Sequence, residues 1–162
     1  MLVGIMSDTH DHMGKIRRAV AEMRAAGVEV VLHAGDFISP LTFDCMKDLG
    51  VPLHGVYGNN DGETLLLQER YAAIGGLHAR FFKIRLDGLR FIVTHDDTVV
   101  DSLARSGDYD VVVYGHTHRV DVRKVGGTDV INPGEVCGYC TGRSTVVVYD
   151  TGLRASRVIE LD

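Results

Sequence analysis

The sequence predicts an α/β (α+β) fold in which two packed β-sheets carry helices on their outer faces. Three observations predict it. The first half alternates apolar strand-like runs with amphipathic segments in the order βαβαβα, which implies parallel strands joined by right-handed crossovers. The second half holds one helix and is otherwise strands, with turn signals at Asp87-Gly88, Gly126-Gly127 and Thr151-Gly152 that bring in antiparallel pairs. Each apolar run of the first half stops abruptly at polar residues, as buried strands do when they deliver side chains to the edge of a sheet. With 162 residues and no repeat, low-complexity tract or break in composition, the chain is expected to form one domain, 1–162.

The elements follow in order. Leu2 to Ser7 is a buried strand ending in Ser7-Asp8-Thr9-His10-Asp11. A helix runs from about Gly14 to Ala26, with Ile16, Ala19, Val20 and Met23 at helical spacing and Gly27 as its C-terminal cap. Val28 to His33 is a second strand, ended by Ala34-Gly35-Asp36. Pro40 to Leu49 is a short helix, Pro52 to Tyr57 a third strand ended by Gly58-Asn59-Asn60-Asp61, and Gly62 to Ile74 a helix. Arg80 to Leu86 and Leu89 to Thr94 form a hairpin that ends at His95-Asp96-Asp97. A helix from about Thr98 to Ser106 precedes the strand Asp110 to Tyr114, which ends in Gly115-His116-Thr117-His118. Strands at Val120 to Val125, Asp129 to Asn132, Ser144 to Asp150 and Leu153 to Leu161 complete the chain.

Composition excludes several classes. At 45% hydrophobic and 24% charged the chain is ordinary for a globular protein. Its apolar runs are far too short to span a bilayer, and strand one begins without a basic leader, so the expectation is a cytoplasmic protein with no membrane partner. A net charge of −5 with scattered Lys and Arg gives no general nucleic-acid-binding surface. A homo-oligomer is compatible with all of this. Three cysteines suit a reducing compartment, and Cys137-Gly-Tyr-Cys140 reads as two free thiols in a turn.

Asp8, His10, Asp36, Asn59, His95, His116 and His118 all fall just past strand ends. Taken singly each has an ordinary explanation as a turn, a cap or a core histidine. Together they place four of the chain's eight histidines beside two carboxylates and an amide. A two-metal hydrolase accounts for the set, because ions about 3.5–4 Å apart need one bridging carboxylate and several further ligands each. The mixture of imidazole and oxygen suits Mn first, then Ni, Fe, Zn or Co, over Mg or Ca. Two such ions less two carboxylates and one hydroxide leave a surplus positive charge that would draw in a phosphate ester; the neutral Asn59 preserves it.

At these residues the chain resembles the calcineurin-like metallophosphoesterases. It has Asp8-x-His10, Gly35-Asp36, Gly58-Asn59-x-Asp61, a strand-end His95 and Gly115-His116-x-His118 in that family's order, followed by Asn132-Pro133-Gly134. The short length resembles the small prokaryotic phosphodiesterase branch. The resemblance implies a four-layer sandwich of two mixed β-sheets flanked by helices. It implies that Asp8, His10, Asp36 and His118 hold one ion and Asp36, Asn59, His95 and His116 the other, with Asp36 as the bridge. It also implies in-line attack on a small phosphate ester by a metal-bridging hydroxide held via Asp36, most readily on a diester. The alternative is a non-catalytic scaffold, since a protein-interaction subunit of the retromer complex is built on the same fold with a degraded metal site.

Three positions depart from the family pattern. Asn60 stands where larger members carry a His that helps protonate the leaving group, and an amide cannot do so; Asn60 and Asp61 are expected as supports around the ligands. Asp96 replaces a Gly and is expected to tolerate a left-handed backbone. Glu135 replaces a common Ser, and it is expected, with Arg119, Tyr139 and Arg143, at the surface or the border of the substrate pocket.

Overall fold

A computed structural model describes residues 1–162. The first sheet is built from β1 (Leu2–Met6), β2 (Val30–His33), β3 (Leu53–Val56), β4 (Gly75–His78), β10 (Thr145–Asp150) and β11 (Ala155–Glu160) in the order β11-β10-β1-β2-β3-β4. The second contains β5 (Phe81–Leu86), β6 (Leu89–Thr94), β7 (Val111–Val113), β8 (Val120–Val125) and β9 (Thr128–Pro133) in the order β5-β6-β7-β9-β8. Strands β1 to β4 are mutually parallel, as are β6, β7 and β9, while β10, β11, β5 and β8 pair antiparallel. Both sheets are therefore mixed.

Period-two alternation sorts the side chains between layers. Val3 and Ile5 of β1, Val30 and Leu32 of β2, and Val147 and Tyr149 of β10 point toward the second sheet and pack with Phe91, Val93, Val111, Val113 and Ile131. The alternate residues Met6, Val31, Val146 and Val148 point the other way, under α1 (Met13–Ala26), α2 (Phe43–Met46) and α3 (Thr64–Tyr71). The outer face of the second sheet is covered by α4 (Val100–Arg105), whose Val100 and Ala104 lie on Ile92, Val112 and Val130. The result is the expected helix-sheet-sheet-helix sandwich. No helix is long and apolar enough to cross a membrane.

Two expectations need correction. The helix expected over 62–74 covers only Thr64–Tyr71, and Gly75–His78, assigned to no element by the sequence, is a fourth parallel strand. Gly75 and Gly76 carry no side chains from which an alternation could be read, so pairing with β3 decides the conformation there. The helix expected over 40–49 is a single α turn, Phe43–Met46, between two 3₁₀ turns, Pro40–Thr42 and Lys47–Leu49. Elsewhere strands and helices lie where expected, with ends shifted by one or two residues, apart from a 3₁₀ turn at Asp97–Val99 that precedes α4.

Leu32 sits fully buried between the sheets. Leu32→Ala is expected to cost about 2–5 kcal/mol, through lost transfer energy and a cavity that rigid sheets close poorly. Urea denaturation at constant m value measures it.

Candidate metal centre

The parallel strands β1, β2 and β3 of one sheet and β6, β7 and β9 of the other all run toward one edge of the sandwich. Asp8 and His10 follow β1, Asp36 follows β2, Asn59 follows β3, His95 follows β6, and His116 and His118 follow β7. Backbone hydrogen bonds join these loops. Asp8 N–H donates to Gly35 C=O at 3.0 Å, Thr9 N–H to Asp36 C=O at 3.0 Å, and Cys137 N–H to Asp8 C=O at 3.1 Å.

Five of the seven residues take left-handed backbone: Asp8 (φ 53°), His10 (39°), Asp36 (61°), His116 (70°) and His118 (61°). Asp and His tolerate this region better than most residues, which is one physical reason for their presence. Such strain persists only where surroundings over-determine it, and it gathers at sites of function. Two glycines let the loops approach. A Cβ on Gly58 would lie 2.1 Å from Asp36 Oδ1, and one on Gly115 would lie 2.7 Å from the Ala34 carbonyl oxygen.

The side chains form two clusters that share Asp36. In the first, donor atoms of Asp8, His10, Asp36 and His118 all lie within 4.8 Å of one another. His10 Nε2 is 3.3 Å from Asp36 Oδ2 and 3.9 Å from Asp8 Oδ1, and His118 Nε2 is 3.4 Å from Asp8 Oδ1. In the second, His95 Nε2 is 3.6 Å from the same Asp36 Oδ2 and 2.9 Å from Asn59 Oδ1. The His116 ring lies edge-on to His95, centroids 5.1 Å apart, and the His116 N–H is 3.3 Å from Asp8 Oδ2.

The donor set fits metal ions. His95 Nδ1–H donates to the Ala34 carbonyl at 2.7 Å, which leaves the Nε2 lone pair facing Asn59 Oδ1 and Asp36 Oδ2. Three electron-pair donors thus face one another. Asp8 Oδ1 and His10 Nε2 are buried without a hydrogen-bond partner, and buried polar atoms otherwise find one. Asp36 and Asp8 together push the His10 imidazole up to about 9, against a smaller opposing effect of burial. At Asp36 burial favours the neutral acid, but His10 and Asn60 outweigh it and hold the carboxyl well below its usual range. The field at this point favours positive charge.

Around the clusters, Asn60 secures both oxygens of Asp36, its N–H donating to Oδ1 at 3.0 Å and its Nδ2 to Oδ2 at 2.7 Å. Asp61 accepts from the N–H groups of Gly58 (2.7 Å), Ile38 (2.7 Å) and Asp36 (3.1 Å), and so ties the loop after β3 to the loop after β2. His33, buried and stacked on Phe37 at 3.7 Å, accepts from Gly35 N–H through Nδ1. Burial lowers its pKa to about 3, so it stays neutral, and its Nε2 lies 3.3 Å from the Thr9 hydroxyl. The sequence offered His33 only as the end of a strand.

Two expectations at the site are corrected. Asp96 is not left-handed: it has φ −75° and ψ 113°, caps the following 3₁₀ turn through Thr98 N–H, and pairs with Arg80 at 2.6 Å. The bonds from Thr98 and Arg80 hold its pKa down to about 2. Glu135 is not a surface or pocket-border residue. It is fully buried and accepts from His118 Nδ1 at 2.8 Å. The signal that could have found it is Gly134-Glu135 past the end of β9, a repeat of Gly35-Asp36 past β2. Tyr139 is exposed and stacked on His12. Cys137 and Cys140 are free thiols, as expected; burial pushes Cys137 up to about 12.

Known proteins resemble this chain over nearly its whole length. The family model for the calcineurin-like phosphoesterase superfamily domain matches residues 1–153. The chain is 41% identical over 166 residues to phosphodiesterase MJ0936 of Methanocaldococcus jannaschii, covering 100% of each. It is 31% identical over 143 residues to a probable metallophosphoesterase of Methanothermobacter thermautotrophicus, covering 83% of this chain and 76% of that one. Among solved structures, an archaeal phosphodiesterase superposes with a TM-score of 0.95 at 41% identity, over 99% of this chain and 100% of the other. A single mutant of Vps29 from Entamoeba histolytica superposes with a TM-score of 0.72 at 18% identity, over 100% of both, a likeness of fold alone. The chain belongs to the calcineurin-like phosphoesterase superfamily.

Proposed function

We propose that this protein is a cytoplasmic phosphodiesterase that hydrolyses a small phosphate diester with two divalent ions, manganese first among them. The observation that carries the reading is the Asp36 carboxylate shared between two imidazole clusters, with Asp8, His10 and His118 on one side and, on the other, His95 with Asn59 and His116 packed against it. Two ions held there would supply Lewis acidity toward the phosphoryl oxygens and an activated water for in-line attack. The chain's own residues do the rest. Asn60 and Asp61 fix the Asp36 loop, and Asn59 contributes an uncharged donor, so that net positive charge remains for an anionic substrate.

A diester is favoured because two clefts flank the clusters. One, of about 290 Å³, is bordered by Asn59, His95 and His116 and extends past Tyr57, Arg80 and Thr98. The other, of about 270 Å³, is lined by His118, Arg119, Thr141 and Arg143. Each arm of a diester thereby has a place, and the relative in Methanocaldococcus jannaschii is named a phosphodiesterase. Asn60 donates to Asp36 and carries no acidic proton, so esters with stable leaving groups should turn over fastest. The scaffold alternative accounts for neither the unpartnered donor atoms of Asp8 and His10 nor the retention of every ligand type.

Three outcomes test this. Purified protein should hydrolyse a chromogenic diester such as bis(p-nitrophenyl) phosphate with added Mn, lose the activity to a chelator and regain it on readdition. Asp36→Asn should reduce that turnover by about 100-fold or more, since it removes the shared charge while conserving shape; wild-type rates would sink the bridging assignment. His116→Ala should lower kcat strongly while circular dichroism remains native, and an unchanged rate with unchanged metal content would leave the loop after β7 as a mere turn.

A further inference from the structure

Glu135, in the loop after β9, is a carboxylate at 0% exposure. A charge so placed is tolerated only when fully hydrogen-bonded, and its two oxygens divide the work. Oε1 accepts from Thr141 N–H at 2.5 Å, Thr141 Oγ1–H at 2.7 Å and Cys140 N–H at 3.1 Å, all within its own loop. Oε2 faces the metal centre: it accepts from His118 Nδ1 at 2.8 Å and from the Cys137 thiol at 3.1 Å, and shares the Cys140 N–H at 3.1 Å.

We infer that Glu135 is a positioning residue that fixes the proton of His118 on Nδ1, aims the Nε2 lone pair at the Asp8 side, and so sets the affinity of the Asp8, His10, Asp36 and His118 half of the centre. A neutral imidazole has one donor and one acceptor nitrogen, and a carboxylate can only accept, so the bond to Glu135 selects the tautomer. Nε2 is then free at 3.4 Å from Asp8 Oδ1. The other half has the same device in a different form, where the Ala34 carbonyl takes the Nδ1–H of His95. An ionised acceptor makes the stronger bond, and it orients a ring whose own backbone is left-handed and strained. The inference rests on the dinuclear reading above.

The competing explanation is that Glu135 only fastens its loop, and the divided geometry separates the two. In Glu135→Gln the three donors around Oε1 admit only the amide oxygen, so the fastening to Thr141 and Cys140 through Oε1 survives, and only the Cys137 thiol and the second share of the Cys140 N–H are lost with Oε2. The NH₂ must then face His118 Nδ1, which can accept from it only as the tautomer carrying its proton on Nε2, and a metal ion must displace that proton to bind. Thr141→Val is the converse variant, since it removes one donor on the loop side and leaves His118 alone.

Calorimetric titration of metal-free protein with Mn²⁺ tests the inference. Wild type should take up two ions per chain. Glu135→Gln should retain one site unchanged and weaken the other by about 10- to 100-fold, with a metal-free Tm close to wild type, while Thr141→Val should bind both ions as wild type does. Two unaltered sites in Glu135→Gln would overturn the role of Glu135 and leave the dinuclear reading standing. Uptake of fewer than two ions by wild type would overturn the dinuclear reading and this inference with it. Should Glu135→Gln not fold, the imidazole ¹⁵N spectrum of metal-free wild type at alkaline pH decides: a proton on His118 Nδ1 supports the inference, and one on Nε2 contradicts it.

Discussion

The structure depends on one geometric constraint, that two sheets packed face to face send their parallel strands toward a common edge. A hydrophobic layer built from Val3, Ile5, Leu32, Phe91, Val93, Val111 and Val113 fixes the spacing of the sheets. Because the strands are short and their register is set by that layer, the residues just past their ends have little freedom. Asp36 occupies the junction. It faces His10 from the end of β1 and His95 from the end of β6, one strand from each sheet. A slip of either sheet by one residue would turn the buried set outward and move one of these imidazoles off the carboxylate. Packing energy and site geometry are thus the same constraint viewed at two scales.

Holding like-natured donors so close has a cost, and the chain meets it locally. Left-handed backbone at Asp8, His10, Asp36, His116 and His118 is strained for residues with a Cβ. It is offset by bonds that cross between loops: Asp61 collects N–H groups from two loops, Asn60 holds both oxygens of Asp36, and Cys137 N–H reaches the Asp8 carbonyl. The close approach of Gly58 to Asp36 and of Gly115 to Ala34 is possible only without side chains. The centre is rigid because its supports belong to different strands, so no single loop can relax alone.

Much of this was legible in the sequence, and the reason differs from residue to residue. The seven ligand candidates stood out because each follows an apolar run, and a strand end is a position that periodicity locates well. The sandwich was legible because parallel and hairpin signals separate along the chain. What failed to show has a physical cause in each case. The strand Gly75–His78 lacks a side-chain alternation to read. At Asp96 the family's Gly suggests a left-handed backbone, whereas the Asp side chain caps a turn and binds Arg80 in an extended conformation. The rule that charge means solvent puts Glu135 at the surface or the pocket border, yet a hub of donors from His118, Cys137, Cys140 and Thr141 overrides that rule. His33 is hidden for a different reason, since nothing in spacing distinguishes a neutral, stacked histidine from a ligand.

Electrostatics connects the fold to the chemistry. The chain carries a net charge of −5, yet its working edge concentrates two buried carboxylates among four imidazoles, a place where cations are favoured and where cations, once bound, would reverse the local sign toward phosphate. Diffraction from crystals grown with Mn²⁺, recorded at a wavelength where manganese scatters anomalously, tests that centre most directly. Two peaks about 3.5–4 Å apart, on either side of the Asp36 carboxylate, are the predicted result. A single peak, or manganese bound away from Asp36, would contradict it.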